Sequence, residues 1–390
     1  MATLDRFLEP PRLRTASAER YEDRHATWLE LFLDLVFVVA IAELGASLAA
    51  DVTLGGFLRY LAFFLAVWWA WAGFTFYATR FDTDDLIYRL LTLLGMFLVA
   101  ALASVIPDAF LHGAANELAV AYALIRCVIV LLYVRAYRHV PEARPLASWF
   151  LQLFSGAIVL WFVSLAVPSP WKFGLWAAAL GLELAAPPRA WRLIRHAPIH
   201  PSHIPERFGL LTIIVLGEAV LAVVIGTADV SWSFASGAAA FGGFLLAVSI
   251  WWVYFEFLDA SMVGRGIGRG MTFVYAHYFV ASGIAMLGVG VRLAILSLEP
   301  GPHLDHAGWV VCAGTSLCML GLALVQLATP PALFDLDVWL RLATAALAAA
   351  LAALTRVLSP VIAVWLLALV MVVQVLVELV HHEHHAAREI

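Results

Sequence analysis

Trp28-Leu29-Glu30-Leu31-Phe32-Leu33-Asp34-Leu35-Val36-Phe37 opens a run that stays largely apolar as far as Ala50. A helix needs roughly 20 apolar residues to cross a hydrocarbon core, and 29–50 has that length. Eleven more windows follow, at about 55–79, 86–106, 117–137, 147–167, 171–187, 208–227, 234–259, 271–297, 307–328, 338–357 and 360–380. The sixth is the weakest, parted from the fifth only by Val167-Pro168-Ser169-Pro170. Inside a bilayer no water satisfies the backbone, and these stretches are too long and continuous for barrel strands, so helices are expected. The chain therefore reads as an all-α polytopic membrane protein with about 12 transmembrane helices.

Composition agrees. Hydrophobic residues make up 63% and charged residues 13%, against about 45–50% and about 25% in a soluble domain. Cys127, Cys312 and Cys318 fall inside apolar windows without metal-ligand spacing, so they read as small core residues. The first 28 residues carry no apolar signal region.

Two halves repeat a pattern. Glu30, Phe32 and Glu43 precede Trp68-Trp69-Ala70-Trp71, as Glu206, Phe208 and Glu218 precede Trp251-Trp252-Val253-Tyr254. Glu183 and Glu378 occupy matching places near the ends of the sixth and twelfth windows. The expected organisation is a tail (1–28), a first six-helix repeat (29–187), a proline- and arginine-rich connector (188–207), a second six-helix repeat (208–380) and a tail (381–390). Six crossings per half make the repeats parallel, about an axis along the membrane normal. Arginines alternate between loops. Arg6, Arg12, Arg14, Arg20, Arg24, Arg80, Arg89, Arg135, Arg138, Arg144, Arg189, Arg192, Arg195, Arg207, Arg265 and Arg269 fall on one side, with little beyond Lys172 and Arg356 on the other. The positive-inside rule then places both termini in the cytoplasm, in a bacterial inner membrane.

Ionisable groups at membrane depth cost roughly 2.5–3.5 kcal/mol on insertion scales, so they are the first functional candidates. Glu30 and Asp34 share a helix face. Glu43, nine residues beyond Asp34, lies about 180° around and about 13–14 Å along the helix, so the three carboxylates cannot converge. One reading puts Asp34 and Glu43 on a cation or proton path. The other pairs each carboxylate with an arginine of a neighbouring helix. Asp34 gains interest because the second half has Leu210 in its place. Glu218 lies deep in its helix beside Gly217 and Ala219 and serves either as a site residue or as an interhelical hydrogen-bonding group. Arg126 is deep and must be paired, whereas Arg59 and Arg292 read as interfacial. His277, among Tyr275 and Tyr278, is a proton-relay candidate or a packed histidine. Glu256 and Asp259 read as near-interface residues.

Asp82, Asp84 and Asp85 stand in one loop with Arg89 nearby; helix capping and an arginine contact explain them better than a divalent cation. With Glu30, Glu206, Glu183 and Glu378, the residues Asp82, Asp85 and Arg89 make up the expected structural charge network. The tryptophan runs either pack the bundle or line a cavity. His381-His382-Glu383-His384-His385 is metal-friendly in composition, but nothing fixes its geometry. No metal site, cofactor or catalytic residue is nominated.

The run Trp28 to Glu43, then Phe81-Asp82-Thr83-Asp84-Asp85 with Arg89, then Glu206-Arg207-Phe208-Gly209 through Leu216-Gly217-Glu218, resembles the bacterial low temperature requirement protein A family over nearly the whole chain. Leu33 replaces the usual aromatic residue before the aspartate, and Glu43 stands where glutamine is common. The resemblance implies a multi-spanning inner-membrane protein connected with growth in the cold. A second resemblance covers one helix. Phe32-x-Asp34-x-Val36-Phe37-x-x-Ala40-Ile41 is similar to the first-helix signature of a lysosomal and bacterial potassium channel family with an F-S-D motif, six-helix repeats and an apolar constriction. Leu33 departs from its serine.

The leading expectation is a transporter or channel for a small ion or solute, its path between the two halves. Asp34 would interact with the cation or gate, Glu43 and Glu218 would face the cavity, Arg126 would balance charge and His277 would relay protons. The alternatives are an intramembrane lipid-modifying enzyme, using His277 with Glu218, and a membrane sensor or scaffold for cold or envelope stress. The expected partners are the lipid bilayer, the small ion or solute and a further copy in a homo-oligomer, with no nucleic acid.

Overall fold

A computed structural model describes residues 9–13, 26–82, 84–113, 115–194, 203–258, 267–299, 307–327 and 335–386. Asp259, Arg265, Arg195 and most of the N-terminal tail lie outside them, as do the side chains of Asp82, His384 and His385. The described residues form twelve long helices: α1 (Trp28–Ala50), α2 (Leu54–Arg80), α3 (Leu86–Leu111), α4 (Ala115–His139), α5 (Arg144–Ser164), α6 (Trp171–Arg189), α7 (His203–Ala228), α8 (Phe234–Phe255), α9 (Ile267–Leu296), α10 (Gly308–Gln326), α11 (Leu336–Leu354) and α12 (Pro360–Ala386). A single turn, Trp191–Ile194, follows α6. The protein is thus an all-α, multi-pass membrane protein in contact with the bilayer.

Among the described residues, eleven helices are long and apolar enough to cross a membrane, and α6 is not one of them. The count of about twelve therefore differs by the segment with the weakest apolar signal. Lys172, Glu183 and Arg189 with Pro187 and Pro188 dilute its hydropathy, although it is helical throughout its 19 residues.

Helix ends carry the chemistry that starts them. Asp85 caps α3 by accepting from the backbone of Ile87 and Tyr88. Ser233 and Ser236 form a reciprocal capping box at α8, and Asp335 caps α11. Such caps matter because the first turn's N–H groups have no partner within the helix. Strand β1 (Arg12–Leu13) pairs antiparallel with β2 (Phe81–Asp82) after α2, with Arg12 opposite Asp82 and Leu13 opposite Phe81.

The chain divides into two compact units, residues 1–47 with 58–207, and residues 48–57 with 208–390. In the first unit Trp68, Trp69 and Trp71 are all buried, packing the bundle. The matching run in the second unit behaves differently. Trp251 is exposed and Trp252 half-buried, while Val253 and Tyr254 are buried. In that unit α9 and α10 approach backbone to backbone. A Cβ on Gly314 would lie 2.5 Å from the Leu287 nitrogen, and one on Gly321 would lie 2.7 Å from that of Val280. Small residues permit such close approach where lipid offers no hydrophobic drive for association. Cys312 and Cys318 are buried here as free thiols.

Candidate site of buried charge

In α1 the side chains of Phe32, Leu35 and Val39 are about half exposed, while Leu33, Phe37, Ala40, Ile41 and Leu44 are buried. Asp34 falls on the buried side and is fully enclosed. Its Oδ1 accepts from Arg207 Nη2 at 2.6 Å and from Trp71 Nε1 at 2.7 Å. Arg207, early in α7, is equally buried. This pair belongs to the first unit. It is neutral as a pair but incompletely satisfied. Asp34 Oδ2 and Arg207 Nε and Nη1 are buried without a hydrogen-bond partner among the described residues. A buried group left unsatisfied costs about 1–3 kcal/mol, and more when charged.

One turn earlier, Glu30 Oε2 accepts from Thr27 N at 2.7 Å and from Thr27 Oγ1 at 3.0 Å, while Glu30 N donates to Thr27 Oγ1 at 3.3 Å. This is a capping box at the entry to α1. His203 Nε2 stands 3.7 Å from Glu30 Oε1. His203 Nδ1 lies 3.1 Å from Thr79 Oγ1, whose own proton goes to Thr75 O at 2.7 Å. That network assigns the Nδ1–H tautomer to neutral His203. Its Nε2 lone pair then faces a carboxylate, an arrangement that a proton on either group relieves. Glu206 accepts from Ala26 N at 3.0 Å, so both matched glutamates are used at helix entries.

A second buried pair holds α6 to α4. Arg126 Nε donates to Glu183 Oε1 at 2.9 Å, and Tyr122 OH donates to Glu183 Oε2 at 3.1 Å. The guanidinium lies 4.6 Å from the centre of the Phe154 ring. Gly73 makes room for it, since a Cβ there would stand 2.9 Å from Arg126 Nη1. The deep arginine is therefore paired with Glu183 through Nε, while its Nη1 and Nη2 are buried without a hydrogen-bond partner among the described residues. At the start of α3, Asp85 receives both Arg135 Nη1 and Nη2 at 2.7 Å in addition to capping. Arg135 Nη2 also reaches Glu9 O at 2.8 Å. Arg89 pairs with Asp84 at the surface, at 2.8 and 2.9 Å.

Glu43 in the first unit and Glu218 in the second are half-buried, and their carboxylates have no hydrogen-bond or ion-pair partner among the described residues. His277, in the second unit, is buried with both ring nitrogens engaged. Nδ1 is 2.6 Å from the Phe273 carbonyl and must donate to it, leaving Nε2 to accept from Tyr254 OH at 2.9 Å. Glu378 meets Arg341 of α11 at 3.3 Å. Both halves thus bury a glutamate of the last helix against an arginine, drawn from the fourth helix in the first half and the fifth in the second. Arg292 pairs with Asp229 at 3.2 Å, and Arg59 lies 5.2 Å from the centre of the Phe110 ring. No group of three or more His, Cys, Asp or Glu suited to a metal occurs among the described residues.

Arg207, His203, Thr79 and Trp71 were not among the site candidates read from the sequence. Arg207 and His203 sit in or beside the polar connector, where positive charge reads as a solvated loop. The signal available was Thr27-x-x-Glu30, a capping pattern that fixes where α1 begins.

A polytopic helical bundle with buried, partly satisfied ion pairs defines the broad class, an integral membrane protein. Residues 25–376 match the family described as Bacterial low temperature requirement A protein (LtrA), and the chain belongs to that family. It is also similar to an uncharacterized protein of Rhizobium meliloti (strain 1021), 29% identical over 293 residues and covering 70% of each chain. No solved structure matches it.

Proposed function

We propose that this protein moves a small ion or solute across a bacterial inner membrane, with the Asp34–Arg207 pair as its gating or ion-interacting element and Glu30–His203 as an adjoining proton-holding pair. The observation that carries the reading is the incomplete satisfaction of Asp34 and Arg207 at full burial. Charges kept expensive inside a membrane bundle mark ion and proton pathways; Arg126, whose Nη1 and Nη2 are likewise unsatisfied, has the Phe154 ring against its guanidinium as well as Glu183. Glu43 and Glu218, half-buried and unpaired, are the further carboxylates offered to a cation, and Arg126 holds the scaffold through Glu183.

The lipid-enzyme reading asks for a histidine able to exchange a proton with substrate. His277 has both nitrogens committed to Phe273 and Tyr254, which speaks against it. The scaffold reading asks for fully paired buried charges, which the orphaned atoms of Arg207 oppose.

The test is flux into proteoliposomes of purified protein under potassium, sodium and proton gradients, beside protein-free vesicles. Transport predicts selective flux that falls at least tenfold in Asp34→Asn at equal folded amount. Flux unchanged by that substitution removes Asp34 from the mechanism.

A further inference from the structure

The second unit holds another charge cluster, independent of the proposed transport element, where α11 begins and α12 ends. Asp337 and Glu378 are buried there around one guanidinium. Arg341 Nη2 lies 3.3 Å from Glu378 Oε2 and 3.9 Å from Asp337 Oδ2. Glu378 Oε1 accepts from Gln374 Nε2 at 2.7 Å, and Gln374 Oε1 accepts from Thr344 Oγ1 at 2.6 Å. Arg341 also reaches Gln326 Oε1 and the Phe257 carbonyl, both at 3.4 Å. Asp337 Oδ1 is buried with no hydrogen-bond partner among the described residues.

The charges do not balance. Among the described residues two buried carboxylates face one arginine, which leaves one negative charge over, and an uncompensated buried charge is costly. One group at the edge can cancel it. His382 Nε2 stands 2.9 Å from Asp337 Oδ2. Its ring stacks on Phe257 with centroids 5.0 Å apart, and its side chain is 47% exposed. The imidazole thus touches the buried carboxylate on one side and is uncovered by protein on the other. The remaining titratable or charged side chains on α11 and α12 and on the facing α8 and α10, among the described residues, are Asp335, which accepts from Gln326, His381 and Glu383 beside His382, Cys312 and Cys318 on α10, and Tyr254 and Glu256 on α8 and its end.

We propose that His382 and Asp337 form a proton-loading site, in which a proton taken from the aqueous phase cancels the surplus carboxylate charge and fastens the end of α12 to the start of α11. The proton comes from water and binds the imidazole, and it passes to no other group. Histidine suits this role because its charge changes close to neutral pH.

The experiment is the melting temperature of the full-length protein in detergent across about pH 5–8, the range in which histidine titrates. Folding that binds a proton makes stability fall as pH rises. The wild type is expected to melt highest at the acid end of that range and lowest at the alkaline end. His382→Gln should flatten that slope by about one proton, and His381→Gln should keep it. Asp337→Asn removes the surplus charge, so it should flatten the slope as well, and adding His382→Gln to it should cost little more. A wild-type slope in His382→Gln, or strictly additive effects of the two substitutions, overturns the proposal. If His382→Gln does not fold, Asp337→Asn decides alone, and an unchanged slope there refutes it.

Discussion

Asp34 receives two donors on one oxygen and none on the other, while Arg207 donates through Nη2 and leaves Nε and Nη1 without a hydrogen-bond partner among the described residues. Removing one member of a buried ion pair exposes the other to low dielectric, so Arg207→Met should destabilise the protein by about 3–5 kcal/mol. Adding Asp34→Leu should restore most of that stability, because an apolar pair of similar volume fits the same place. Thermal unfolding of the single and double variants measures both. Trp71→Phe, which removes a donor to a charged acceptor, should cost about 1.5–3 kcal/mol. At this scale the sequence exposes which residues are expensive but not what satisfies them. Asp34 stands out because an aspartate within an apolar run has to be accounted for. Its partner lies 173 positions away, in a connector where an arginine looks like an ordinary loop residue. Arg341 was missed for a similar reason: it stands near the start of its window, where a basic residue reads as interfacial.

Helices were the most readable level, since length and hydropathy alone locate them. The exception, α6, has a physical cause in its own residues. It keeps Lys172, Arg189 and two prolines near its ends and is tied to α4 through the Arg126–Glu183 pair. How helices pack was less readable. The chain's 26 glycines do not announce which of them face a neighbour. Gly314 and Gly321 do so in the seam between α9 and α10, whereas Gly156 in α5 has open space where a Cβ would go. Gly314→Val should therefore destabilise the fold by at least about 1–3 kcal/mol through overpacking. Gly156→Ala should be neutral or stabilise by about 0.5–1 kcal/mol, since alanine loses less backbone freedom in a helix. Unfolding midpoints of the two variants in the same detergent would show the contrast.

For the molecule as a whole, the expectation of a duplicated six-helix pattern rests on glutamates and aromatic runs recurring at offsets of 175 to 195 residues. Each half buries a last-helix glutamate against an arginine, yet the arginine comes from a different helix and the aromatic runs differ in burial. Function therefore has to be assigned to each charge cluster separately rather than read from the repeat. Under the proposed function, the charge on the Asp34–Arg207 pair is needed for transport and not for folding. Replacing both members together, as Asp34→Asn with Arg207→Met, deletes the charges while nearly keeping side-chain volume and leaving residue 34 able to accept from Trp71. Ion flux into proteoliposomes and the melting temperature would be measured on the same preparation. The uncharged pair should melt near the wild-type temperature and give flux at the level of empty vesicles; wild-type flux from it would mean that the pair does not gate transport.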